Sequence, residues 1–135
     1  MTAPRRPVPL ERHEQATVYA WSVAMRPRVP ELGLLYAIPN GGHRHKAVAA
    51  KLAAEGVRSG VPDLCLPVMR QQRAGLYVEM KRVSGSTTSA EQKAWHAALR
   101  AQGYRVDVCK GAREAAACLL DYLGVRDARI PLPEG

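Results

Sequence analysis

The chain has 135 residues, enough for one compact domain and too few for two of ordinary size. Apolar residues make up 47% and charged residues 24%, which excludes a disordered polar chain and a fibrous repeat. Lysine and arginine number 20 against 12 aspartates and glutamates. That net charge of +8 suits a polyanionic partner, nucleic acid before acidic lipid or protein, or else serves solubility alone.

Residues 1–9 hold three prolines and read as an extended arm. Basic residues there have no apolar segment behind them, so no signal peptide is expected, and no stretch reaches the ~18 apolar residues that cross a bilayer. A first helix is predicted from Leu10 to Met25, stopped by Pro27 and Pro30. Leu34 to Ile38 reads as a strand, Pro39-Asn-Gly-Gly42 as a turn, and Arg44 to Glu55 as a second helix capped by Gly56. Asp63 to Pro67 and Gly75 to Lys81 read as strands. A polar loop at 84–88 leads to a helix from Ala90 to Gln102, which Ser89 and Gln92 open with capping-box spacing. Tyr104 to Cys109 is a further strand, Ala112 to Leu123 the last helix, and the tail from Gly124 is expected to be loose. Strands interspersed with helices imply an α/β fold, a central mixed β-sheet flanked by helices, as one domain over 1–135 with its core at about 10–123. Cys65, Cys109 and Cys118 show no CxxC spacing and fit a reducing, cytoplasmic setting.

The chemistry gathers at Gly60-Val-Pro-Asp63 and Glu79-Met-Lys81. On a strand, Glu79 and Lys81 share a face while Met80 turns to the side of Leu76 and Val78. Pairing of the two strands would set the Asp63 carboxylate beside Glu79. Two such carboxylates repel unless a cation lies between them, and hard oxygen ligands favour Mg²⁺, with Mn²⁺ able to substitute. The bland alternative is a surface hairpin with an ordinary Glu–Lys pair. In the first helix, Leu10, Thr17, Val18, Trp21 and Met25 form one stripe with Glu14 near its centre. A carboxylate there needs a partner, either the shared metal or the helix dipole, and Glu11 on the fringe fits the dipole role better. Gln92 is open to both capping and site duty. Asn40, Gly41, Gly42, His43, Arg44 and Lys46, at a turn and helix start, are candidate nucleic-acid contacts or a plain tight turn. Arg82 is a candidate phosphate contact or a solvated charge.

Taken in order, Glu14, Pro39-Asn-Gly-Gly42, Gly60-Val-Pro-Asp63, Glu79-Met-Lys81, Ser89-Ala-Glu-Gln92 with Trp95, and Gly103-Tyr-Arg-Val resemble the VRR-NUC family. These are the virus-type replication-repair nucleases of the PD-(D/E)XK superfamily, and the resemblance runs from about Glu11 to Asp121. It implies a restriction-endonuclease-like core and metal-dependent endonucleolytic hydrolysis of DNA. By resemblance, Asp63, Glu79 and Glu14 are metal ligands together with the backbone carbonyl of Met80, Lys81 is the catalytic lysine, and Gln92 supports them. A methionine stands where a smaller or branched apolar residue is more usual. The family spans junction-resolving and structure-selective cutters, so branched, flapped or four-way DNA in replication, repair or recombination is the expected substrate class. A homodimer would present two sites to two strands. The competing reading is a non-catalytic basic DNA-binding or architectural protein on the same fold.

Overall fold

The computed structural model describes residues 8, 10–40 and 45–134. Four strands form one sheet in the order β1 (Tyr36–Ala37), β2 (Leu64–Leu66), β3 (Leu76–Lys81), β4 (Arg105–Lys110). The sheet is mixed: β1–β2 and β2–β3 pair antiparallel, and β3–β4 pair parallel. A parallel pair needs a crossover connection, and α3 (Ala90–Ala101) supplies it.

Period-two alternation divides β3 between two faces. Leu76, Val78 and Met80 are fully buried in the main apolar cluster with residues of α1 (Glu11–Met25) and α4 (Ala112–Leu123). Val18 and Trp21 of α1, and Ala112, Ala115, Ala116 and Leu119 of α4, fill that layer. Tyr77, Glu79 and Lys81 turn to the opposite face, where α3 lies across the sheet. The predicted stripe of α1 holds in part: Glu14, Val18 and Trp21 are buried and Met25 half-buried, but Leu10 and Thr17 are exposed and Ser22 is buried in their place.

Two expectations change. Proline at position 30 starts a short 3₁₀ turn over Pro30–Leu34, because its fixed φ suits a first helical position, and β1 shrinks to two residues. The tail after α4 is docked, not loose. Its Ile130 is buried, Val125 and Leu132 pack on the core, and the Trp21 indole N–H donates to the Pro131 carbonyl at 2.6 Å. Apolar side chains at 125, 130 and 132 outweigh the loop-forming effect of the prolines. Among the described residues, no helix is long and apolar enough to cross a membrane.

Candidate active site

Register places the first carboxylates. Leu64 faces Val78 across the antiparallel β2–β3 pair, and one further step sets Asp63 opposite Glu79. The Asp63 N–H donates instead to the Val78 carbonyl at 3.1 Å, one residue out of that register, so the ladder is locally irregular at Asp63 while its carboxyl still meets that of Glu79. Before Asp63, Gly60 has φ +83°, and a Cβ there would come 2.6 Å from Glu91 Cγ and 3.1 Å from Trp95 Cδ1. Only glycine meets both demands, so the loop is held against α3. Trp95 pins it further, its indole N–H donating to the Ser59 carbonyl at 3.2 Å.

Asp63, Glu79 and Lys81 are 8%, 1% and 5% exposed, a concentration of charge that a bland surface hairpin does not contain. Asp63 Oδ2 accepts the Met80 N–H at 2.7 Å, and its Oδ1 accepts from Asn40 Nδ2 at 3.2 Å. In an extended strand the N–H and C=O of one residue leave on the same side, so the Met80 carbonyl leaves on the edge of β3 that faces β2. Glu79 Oε1 lies 3.1 Å from His96 Nε2, and its Oε2 accepts from Gln92 Nε2 at 3.4 Å. Lys81 Nζ donates to Gln92 Oε1 at 2.9 Å.

Gln92 takes the capping role and also touches the candidate site residues. Its Oε1 accepts from the Ser89 N–H at 2.9 Å while its own N–H donates to Ser89 Oγ at 3.1 Å, completing the capping box. The same amide links Glu79 to Lys81.

The electrostatics follow from burial. Loss of solvent, then the adjoining Asp63 carboxyl, pushes Glu79 up to about 9. Burial also raises Asp63, partly offset by its hydrogen bonds with Glu79 and the Met80 N–H. Without a cation, both shifts favour a proton held by the pair. Burial, then the charges of Arg100 and Lys81, hold the His96 imidazole below its usual range.

Glu14 occupies a different niche. Its Oε2 accepts the Ala112 N–H at the start of α4, where a carboxylate meets a free donor and the positive end of the helix dipole. Gly111, at φ +89°, allows this approach, since a Cβ would stand 3.2 Å from Glu14 Oε2 and 2.9 Å from Val83 Cγ2. Among the described residues, no three His, Cys, Asp or Glu side chains are grouped to hold a metal, and the contact the structure gives Glu14 is with the start of α4. One turn earlier on α1, Glu11 adds a weak rise to both Asp63 and Glu79, and its Oε1 accepts from Ser86 Oγ at 3.0 Å. Glu14→Leu, which strands the buried Ala112 N–H, is expected to cost about 1–3 kcal/mol in urea denaturation. Glu14→Gln keeps an acceptor oxygen, so it should lose less and bind Mn²⁺ like the wild type. Weakened Mn²⁺ binding at unchanged stability would return Glu14 to the metal site.

The other sequence candidates spread out. Asn40 belongs to the site through Asp63. Lys46 is exposed in the first turn of α2 (Lys46–Ala54), after its N-cap His45. Arg82 is half-buried and donates to the Val8 carbonyl at 3.3 Å. Gly41, Gly42, His43 and Arg44 lie outside the described residues. Sequence reasoning missed His96, whose one available signal was its position one helical turn after Gln92.

The sequence profile of the VRR-NUC domain matches residues 13–113, most of the chain and all of the Asp63, Glu79, Lys81 and Gln92 cluster. No curated protein matches. A solved structure described as a VRR_NUC domain protein is similar at 26% identity and a TM-score of 0.74, over 90% of this chain and 94% of its own. The mixed sheet flanked by helices is the restriction-endonuclease-like arrangement expected of such proteins. The chain belongs to the VRR-NUC family of nuclease domains.

Proposed function

We propose that this protein is a metal-dependent endonuclease that hydrolyses phosphodiester bonds in DNA, selecting its substrate by shape. The observation that carries the reading is the pair of buried carboxyls, Asp63 and Glu79, opposed across β2–β3 with the Lys81 ammonium two residues away on the same face. A pure DNA-binding protein gains nothing from burying two mutually repelling acids beside a lysine.

The donor set suits a small, hard dication. Two carboxyls that hold a proton for want of a countercharge, with the Met80 carbonyl on the same edge, would hold Mg²⁺ or Mn²⁺, leaving other positions for water and phosphate oxygen. Such an ion, when bound, polarises the scissile phosphate and acidifies a bound water. Asp63 is oriented by the Met80 N–H and Asn40, so its carboxylate is fixed before substrate arrives. Lys81, steered by Gln92, positions the attacking water and offsets negative charge as it grows on the phosphate oxygens. Lys46, exposed at the start of α2, is a proposed phosphate contact, as on sequence grounds alone are Gly41, Gly42, His43 and Arg44. Arg82 braces the chain near the N-terminus and adds positive potential.

The proposed substrate class is branched, flapped or four-way DNA, read by its shape and not by a long base sequence, in replication, repair or recombination. A homodimer suits paired strands. Three buried free cysteines suit the cytoplasm.

The test is a panel of linear, nicked, flapped and four-way DNA with EDTA, Mg²⁺, Mn²⁺ or Ca²⁺. Mg²⁺ and Mn²⁺ should support cutting of at least one branched substrate, EDTA should abolish it, and Ca²⁺ should support binding with little turnover, because Ca²⁺ acidifies its water less. Salt-sensitive binding with no cutting anywhere on the panel would favour the architectural reading.

A further inference from the structure

We propose that His96 is a positioning residue that fixes the Glu79 carboxylate for metal binding, working as one unit with Gln92. This rests on the reading of Glu79 as a metal-binding carboxylate.

A glutamate carries three side-chain torsions, and the last is broad and roughly two-fold, so a free Glu79 would present its oxygens in many orientations. Helical geometry removes that freedom. Positions 92 and 96 of α3 lie on one face, one turn apart, and Gln92 Nε2 and His96 Nε2 reach different oxygens of the same carboxylate, at 3.4 and 3.1 Å. Each carboxylate oxygen has a further lone pair, so both contacts leave room for a cation. The helix itself is anchored at its first turn by the Ser89–Gln92 capping box and through Trp95 to Ser59, just ahead of the loop that carries Asp63. The two acids are thereby positioned from a common support.

Burial makes the role specific. His96 is 3% exposed, and an imidazole at such a position is costly unless its nitrogens are bonded. An apolar residue would fill the space between helix and sheet without that cost, so what histidine adds here is its bond to Glu79. Partners that orient metal-binding carboxylates typically change metal affinity or activity by about 10–100-fold when removed.

The experiment compares wild type, His96→Leu, His96→Gln and Glu79→Gln, measuring Mn²⁺ binding by calorimetry, kcat and KM on the best substrate of the panel, and Tm in EDTA. His96→Leu should weaken Mn²⁺ binding about 10–100-fold and lower kcat, with KM for DNA essentially unchanged. His96→Gln carries an N–H at nearly the position of Nε2 and should recover most of both. If the leucine variant does not fold, His96→Met takes its place, because a flexible thioether fills an irregular gap. Unchanged Mn²⁺ affinity in the apolar variant, or equal loss in the glutamine and apolar variants, would overturn the role of His96. Mn²⁺ binding that is intact in Glu79→Gln would instead overturn the metal reading beneath it, which separates the two failures.

Discussion

Asp63→Asn should abolish cutting, lowering the rate by orders of magnitude, while leaving the fold and DNA affinity in EDTA intact or slightly improved. The fold survives because the asparagine carbonyl can take the Met80 N–H in place of Oδ2, and the Asn40 amide can flip to accept from the new NH₂. Cutting is lost because an amide is a far weaker partner for a hard dication than a carboxylate, and metal activation of water supplies much of the rate. DNA affinity holds because the mutation removes one negative charge from the place where phosphate must sit. Its steep salt dependence should remain, since the basic surface is unaltered. The measurement is paired on one branched substrate: cleavage rate with Mg²⁺ and dissociation constant in EDTA. Equal cutting by mutant and wild type would remove Asp63 from the site.

The core of this site was legible because it depends on short-range periodicity. Two-residue alternation alone puts Glu79 and Lys81 on one face and Met80 on the other, and the strand that begins at Asp63 had a natural neighbour in β3. The Ser89–Gln92 box was equally local, and it holds.

What escaped was the identity of tertiary partners. Glu11 and Glu14 are three residues apart on one helix, so the hydrophobic stripe gives both similar phases and does not say which carboxylate meets the α4 N-terminus. The structure gives that place to Glu14. His96 was hidden because a histidine beside Trp95 on a helix looks like ordinary packing until the sheet beneath it is known. Asn40 read as a nucleic-acid contact or a turn residue, yet its amide reaches a carboxylate 23 residues on. The docked tail escaped for a related reason: proline spacing describes local backbone, whereas the contact between Trp21 and Pro131 spans 110 residues.

The metal-free protein should lose stability as pH rises from about 6.5 to 8.5, and Glu79→Gln should remove most of that slope. Glu79 ionises near its ordinary value in the unfolded chain, but burial and Asp63 push it up to about 9 in the fold. Below the unfolded value both states hold the proton and the native state bears no penalty. Between the two values the unfolded chain has released a proton that the native state retains, so each rising pH unit favours unfolding by about 1.4 kcal/mol for that one proton. The loss levels off above about 9, once Glu79 has ionised in the fold as well. Two opposing groups act at or below the acid edge of that window. Asp107 is held below its ordinary range, chiefly by Arg105 against the pull of burial, and its effect belongs to acid pH. His96, also lowered, contributes stability that is lost only as pH falls below its unfolded value, near 6.5. The readout is Tm in EDTA at half-unit steps. Wild type should fall by several degrees per unit, whereas Glu79→Gln should be nearly flat and more stable at pH 8. Saturating Mn²⁺ should reverse the trend in the wild type alone, because binding to the ionised pair releases the shared proton and strengthens as pH rises. A wild-type profile as flat as that of Glu79→Gln would mean that Glu79 is already ionised in the metal-free fold, and that the pair carries no proton for a cation to displace.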